Sequence, residues 1–272
     1  MRVRGASLWS LAQLFTSALL VAFLLLPIVG LVATLSWEEL IGGLRNPLLI
    51  PALRLSLITT ASSLSIVVIL GTLLAWRIAR VPGRISRWME AIAQVPAVIP
   101  PAVAGVGLLL AFGRRGLFGA WLSAHGLGLS FTTPAVVMAE AFVSAPFFVQ
   151  AAIASFRRVD ENLLVVASTL GASPFRVFLR VAVPLSAPGL IGGAAMSWAR
   201  SLGEFGATLL FAGNLTGRTQ TLPLAVYTAM ESDLRGAQAL SLVMVAVAFA
   251  VLLLLRRFAP GAPAAAMQVD RA

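Results

Sequence analysis

An all-α, polytopic membrane protein with six transmembrane helices is the fold this sequence predicts, and three observations predict it. Of 272 residues, 59% are hydrophobic and only 11% charged, against about 45–50% and about 25% in soluble proteins. So few charges cannot cover a water-facing surface, and a mean hydropathy of +0.95 agrees. Second, charge-free runs of span length recur along the chain. Third, the 20 basic residues are all Arg, outnumber the 10 acidic ones, and sit between the apolar runs rather than in basic stripes. A pI near 11.8 would suggest nucleic acid in a soluble protein. Here the partner that composition implies is the lipid bilayer, and no nucleic acid is expected.

A transmembrane helix needs about 20 mostly apolar residues. The first candidate runs uncharged from Gly5 to Trp37, behind Arg2 and Arg4. A secretory signal core is only about 7–15 residues, so a retained anchor is expected. Leu55 to Trp76 and Ala91 to Gly113 are the second and third spans. Pro96, Pro100 and Pro101 must disturb backbone hydrogen bonding in the third. The fourth, about Pro134 to Phe156, carries Glu140, read as a hydrogen-bonded structural acid. The fifth, about Pro188 to Ala212, carries Arg200 and Glu204, and Gly236 to Leu255 is the sixth. Trp37, Trp76 and Trp88, near span ends, fit interfacial anchoring.

Six spans put both termini on the same side. With the N-terminus inside, thirteen Arg fall in cytoplasmic segments and five in outer ones, which satisfies the positive-inside rule. The expected location is the cell's inner or plasma membrane, multi-pass, with both termini cytoplasmic. The connections are short except for one cytoplasmic segment, Arg157 to Ala187.

In that segment Asp160 and Glu161 suit a helix N-terminus, and Leu163, Leu164, Ala167 and Leu170 follow at helical spacing. Gly171 is placed as the residue just past a helix end. Ser173 and Pro174 read as N-cap and first residue of a second helix. That helix carries Phe175, Phe178, Leu179 and Ala182 on an apolar face, Arg176 and Arg180 on another, and stops at Pro184. The pattern is helix, tight turn, helix. An apolar edge of this kind suits packing on its own bundle, and equally suits docking a soluble partner.

This segment resembles the "EAA" loop of ABC-importer permeases. Ala167, Gly171, Val181, Val183 and Pro184 fall at that pattern's spacings, while Val165 and Val166 stand where its Glu and first Ala would be. Glu161 lies one helical turn before Val165, on the same face. The resemblance implies an ABC importer type I permease fold with a cytoplasmic helix-turn-helix coupling loop, 157–187. It also implies a division into residues 1–50 (first span and outer loop), a permease core of five spans at 51–258, and a cytoplasmic tail at 259–272. Glu161, Ala167, Gly171, Ser173, Pro174, Arg176 and Pro184 become the candidate ATPase-coupling residues.

In the fifth span, Arg200 and Glu204 are one turn apart and can neutralise each other. The pair suits a structural lock between helices, or the lining of an anion path with Arg200 attracting the cargo. A charge near mid-membrane costs roughly 2.5–3.5 kcal/mol, so either way it faces protein or water. Gly203 and Gly206 allow close helix approach or flexing, and the four residues are the candidates for path or gate. "RSLGEFGATLLFAGN" resembles the oxyanion branch of these permeases, and "GRTQTLPLAVYTAME" resembles its molybdate and tungstate members more than the sulfate or thiosulfate ones. That resemblance implies a second copy of the chain, a cytoplasmic ATP-binding subunit dimer and an extracytoplasmic oxyanion-binding protein as partners.

Other classes fit less well. There is no P-loop and no Lys, so ATP hydrolysis is expected in a separate subunit and the chain is read as no enzyme. A stand-alone secondary transporter or channel would want several intramembrane acids and an internal repeat, where only Glu140 and Glu204 are present. An intramembrane protease would want a Ser/His dyad in the spans, and the one His, His125, falls in an outer loop. With no Cys, no metal site or cofactor is expected.

Overall fold

The computed structural model describes residues 8–258, which form helices and connecting turns with no strand among them. Arg2, Arg4, Asp270, Arg271 and the expected tail lie outside the described residues. In chain order the helices are α1 (Leu8–Ala33), α2 (Trp37–Leu44), α3 (Leu49–Arg80), α4 (Arg84–Val98), α5 (Pro101–Phe112), α6 (Gly119–Ala124) and α7 (Thr133–Arg157). They continue with α8 (Glu161–Thr169), α9 (Pro174–Val177), α10 (Val183–Leu202), α11 (Gly206–Ala212), α12 (Leu222–Met230) and α13 (Leu234–Phe258). A π-helical turn, Phe178–Ala182, joins α9 to α10.

Among the described residues, α1, α3, α7, α13 and the continuous stretch Pro174–Leu202 are each long and apolar enough to cross a membrane. The expected third span is different: α4 and α5 meet at 114°. Pro100 and Pro101 are consecutive, so two backbone donors are missing, and Ile99 before them is extended at ψ 129°. The residue preceding a proline is pushed out of the α region. The fifth span is also divided, at Gly203–Phe205 between α10 and α11. Two runs that read as continuous in sequence are therefore each two helices. The outer connections are not short either, because 113–132 and 213–233 contain α6 and α12.

The core is α7 packed between α3 and α10. One face of α3 is buried along its length through Ala52, Ser56, Thr59, Thr60, Ser63, Val67, Gly71, Ala75 and Ile78, mostly small residues. Small faces let helix backbones approach closely, which is how helices associate in a solvent as apolar as themselves. Gly71 and Gly193 abut α7 this way: a Cβ on Gly193 would come within 2.7 Å of Ala151 Cβ. At the end that carries α8, Phe148, Phe156 and Phe178 form the aromatic part of the core with Trp76. Trp76 is thus partly buried against the core, with the Arg80 guanidinium 5.2 Å from its ring centroid, whereas Trp37 and Trp88 are exposed.

Candidate coupling loop and translocation path

Residues 157–187 do form helix, turn, helix. Asp160 caps α8, its side chain accepting from the Asn162 backbone N–H. Gly171 has φ +84°, the left-handed conformation that favours glycine. With it the chain closes a Schellman turn: Gly171 N–H donates to Ser168 C=O at 3.0 Å and Ala172 N–H to Ala167 C=O at 3.1 Å. Ala167 and Gly171, two of the spaced residues noted in the sequence, are the two ends of one hydrogen-bonded corner.

Beyond the corner the expected stop at Pro184 does not occur. Ser173 occupies the N-cap position without a side-chain cap, and the helix opening at Pro174 runs on to Leu202. The π turn explains this. Val183 N–H reaches back to Phe178 C=O, five residues instead of four, so the wider turn absorbs the carbonyl clash and missing donor that a proline imposes. The apolar residues divide between two sides. Val177, Phe178 and Ala182 are buried against the bundle, while Leu163, Val166, Leu170 (83% exposed), Phe175 (69%) and Leu179 point away from it. Glu161, Arg176 and Arg180 are exposed on the same corner, so that one edge packs on the bundle and the other is bare.

Two ion contacts brace the corner. Arg157 grips Glu90 on α4 bidentately at 2.7 and 3.1 Å, and Arg80 donates to Phe156 C=O at 2.7 Å and Val159 C=O at 2.9 Å, satisfying the end of α7. Neither is visible in local sequence, because the partners lie 67 to 79 residues apart.

At the second break, Arg200 sits in the last turn of α10, one residue pair short of Gly203, and contacts Glu204 at 2.8 Å. Glu204 is only 2% exposed. Its other oxygen accepts from Ala207 N–H at 2.8 Å, so one carboxylate neutralises the guanidinium and caps the first turn of α11. Arg200 keeps a quarter of its side chain accessible. Gly206 is pressed against the start of α5, where a Cβ would lie 3.1 Å from Ala102 N. Gly203 has no comparable close neighbour, so only the second glycine serves helix approach.

Around this break lies a buried polar seam. Thr59 donates to Glu140 at 2.8 Å, Trp198 Nε1–H to Thr60 Oγ1 at 3.2 Å, Ser197 to Ser144 C=O at 3.0 Å, and Leu222 N–H to Ser56 Oγ at 2.7 Å. Glu140 is buried and hydrogen-bonded through Oε1, as expected of it. The Ser and Thr of α3 were not singled out in the sequence, although their spacing at 56, 59, 60 and 63 marks one helix face. Among the described residues no group of three potential metal ligands occurs, and His125 is exposed, its ring tilted at 37° to that of Trp121 with centroids 4.6 Å apart.

The sequence and the fold both have known counterparts. Residues 67–262 match the family described as "Binding-protein-dependent transport system inner membrane component". The chain belongs to that family. Curated relatives include the molybdenum transport system permease protein ModB of Mycobacterium tuberculosis, 42% identical with 86% of this chain and 88% of that protein covered. The probable transport system permease protein NifC of Clostridium pasteurianum is 36% identical over 90% and 87%. The sulfate transport system permease protein CysT of Escherichia coli is 32% identical over 88% of each chain. Among solved structures, a bacterial alginate ABC transporter in complex with an alginate-bound periplasmic protein superposes with a TM-score of 0.73 at 19% identity, covering 93% of this chain and 96% of that one. At that identity the likeness concerns the fold, and it supports the ABC importer permease architecture for this multi-pass membrane chain.

Proposed function

We propose that the chain is the permease subunit of an ATP-driven importer that carries a tetrahedral oxyanion, molybdate or its analogue tungstate, from an extracytoplasmic binding protein into the cytoplasm. Its relatives named for molybdenum transport, up to 42% identical over most of the chain, carry the choice of cargo. In this reading two copies of the chain form the pore, and both termini lie in the cytoplasm.

The exposed corner of Leu163, Val166, Leu170 and Phe175 is the dock for an ATP-hydrolysing subunit. Its rigidity comes from the Gly171 turn, which lets a push on α8 reach α10 through the π turn instead of being lost in a slack loop. Glu161, Ser173, Arg176 and Pro184 border that dock. Arg200, partly accessible and held beside a break of α10 and α11, lines the path, and Glu204 holds the break while Gly203 and Gly206 give it room.

The test is uptake of labelled molybdate by the complex reconstituted with its ATPase and binding protein, in competition with tungstate and sulfate. Competition by tungstate and not by sulfate is expected. Equal competition by sulfate points to a sulfate/thiosulfate permease, the reading that the 32% identity to CysT favours. Uptake by the chain alone, without ATPase, points to a secondary transporter or channel.

A further inference from the structure

Helix α4 begins at the bundle end that carries α8, and its first turns hold an arrangement that neither the coupling corner nor the broken span uses. Arg84, Arg87 and Trp88 line a cleft of about 420 Å³. Neither guanidinium has a hydrogen-bond or ion-pair partner among the described residues. The natural partner one turn on from Arg87 is Glu90, but Arg157 occupies both of its carboxylate oxygens. Two cations are therefore left facing outward beside an indole, with no protein anion to neutralise them.

The surface that continues from the cleft is apolar. Ile85, Trp88, Ile92 and Val95 fall on one face of α4 and are all exposed, between 45% and 70%. A water-soluble anion would gain nothing from such a stripe. A molecule with an anionic head and hydrocarbon tails would satisfy both parts, and a Trp at their junction sits where indoles favour the membrane–water boundary. Basic pockets between transmembrane helices recognise anionic headgroups by this combination of charge and adjacent hydrocarbon.

We propose that Arg84, Arg87 and Trp88 bind the phosphate headgroup of an anionic phospholipid whose acyl chains run along Ile85, Ile92 and Val95. Its leaflet is the inner one, an assignment that rests on the topology proposed above; the site itself does not. The lipid then lies along the outward face of α4, opposite the Ser86, Met89 and Ala93 side that packs on the bundle.

The full chain carried through native mass spectrometry with phosphatidylglycerol or phosphatidylcholine of the same acyl length tests this. Retention of phosphatidylglycerol about tenfold or more over phosphatidylcholine is expected. Arg84→Gln with Arg87→Gln should abolish the preference, and Arg84→Lys with Arg87→Lys should keep it. An unchanged preference in the Gln pair overturns the site, as does displacement of the lipid by inorganic phosphate, which would mark a soluble-phosphate site. On the unaltered arginines, phosphatidylglycerol brominated high on its acyl chain should quench the tryptophan emission of the natural chain more than that of Trp88→Phe. Equal quenching also overturns the proposal. Neither readout requires transport, so its failure is separable from failure of the functional reading.

Discussion

The two broken helices of this protein are broken by different physics. Between α4 and α5 the cause is covalent: Pro100 and Pro101 lack donors, and the preceding residue is extended. The 114° bend therefore follows from the chain's covalent structure. Between α10 and α11 the residues are Gly203, Glu204 and Phe205, each able to be helical, and the break is held by one carboxylate shared between Arg200 and Ala207 N–H. The first break is set by covalent structure and the second is held by non-covalent contacts. The two meet where α5 packs on α11.

Removing the carboxylate should have the largest effect on this contrast. Glu204→Ala leaves Arg200 partly buried without a counter-charge and orphans the Ala207 N–H, and a loss of about 3 kcal/mol is expected, the lower end for broken buried pairs because Arg200 stays partly accessible. Glu204→Gln separates the two roles, since the amide oxygen can still accept from Ala207 while the charge is gone. A thermal unfolding series in detergent should rank natural chain, Gln, then Ala. If Gln and natural chain coincide, the cap alone holds the break.

Next is the contact between the two breaks. A Cβ on Gly105 would lie 2.8 Å from Ala207 Cα and 2.9 Å from its carbonyl oxygen, backbone atoms that cannot swing aside. Gly105→Ala should therefore cost about 1–3 kcal/mol as overpacking, read in the same unfolding series, whereas Gly107→Ala, which meets nothing within 4 Å, should be near neutral. Equal behaviour of the two would mean that α5 and α11 are not closely packed.

A smaller effect is expected at Gly171, where φ of +84° makes a side chain cost about 1–2 kcal/mol. Space is open there, so the loss is conformational. Gly171→Val should leave membrane insertion intact and abolish transport-coupled ATP hydrolysis in the reconstituted complex, and normal coupled transport would remove the rigid corner from the account.

The smallest concerns α2 outside the spans. Its capping box, in which Ser36 N–H and Oγ–H both donate to Glu39, holds the Glu39 carboxyl below its ordinary 4.5, with Arg235 assisting. A lowered folded-state pKa means that this contribution is present above about 4.5 and is lost as pH falls through the lower folded value. Glu39→Gln should flatten the acid limb of a pH–stability profile and Ser36→Ala, which keeps the backbone donor at position 36, should flatten it only in part; an unchanged limb in Glu39→Gln would show that the box contributes nothing.

The long helices were legible because an apolar run of span length with at most one internal charge has few other solutions: α1, α3, α7 and α13 lie on such runs. The Ala167–Gly171 corner was legible because left-handed φ selects glycine. The second break was not, since Gly203–Glu204–Phe205 sits in an apolar stretch whose period never changes and only the cap reveals it. The π turn escaped for a related reason: Pro184 ordinarily ends a helix, and nothing local announces that a five-residue turn will accommodate it. The seam through Ser56, Thr59, Thr60 and Ser63 was readable as one helix face, but its partners on α7, α10 and at Leu222 required the tertiary fold. The Glu90–Arg157 clamp is long-range in the same way.

In the proposed function the break held by Arg200 and Glu204 lines the transport path. The most direct measurement of this is uptake of labelled molybdate by the reconstituted complex carrying Glu204→Gln, alongside its ATP hydrolysis. Uptake reduced about tenfold, the equivalent of about 1.4 kcal/mol, with the complex assembled and ATP still hydrolysed, is the expected result. Uptake equal to that of the natural chain would contradict it.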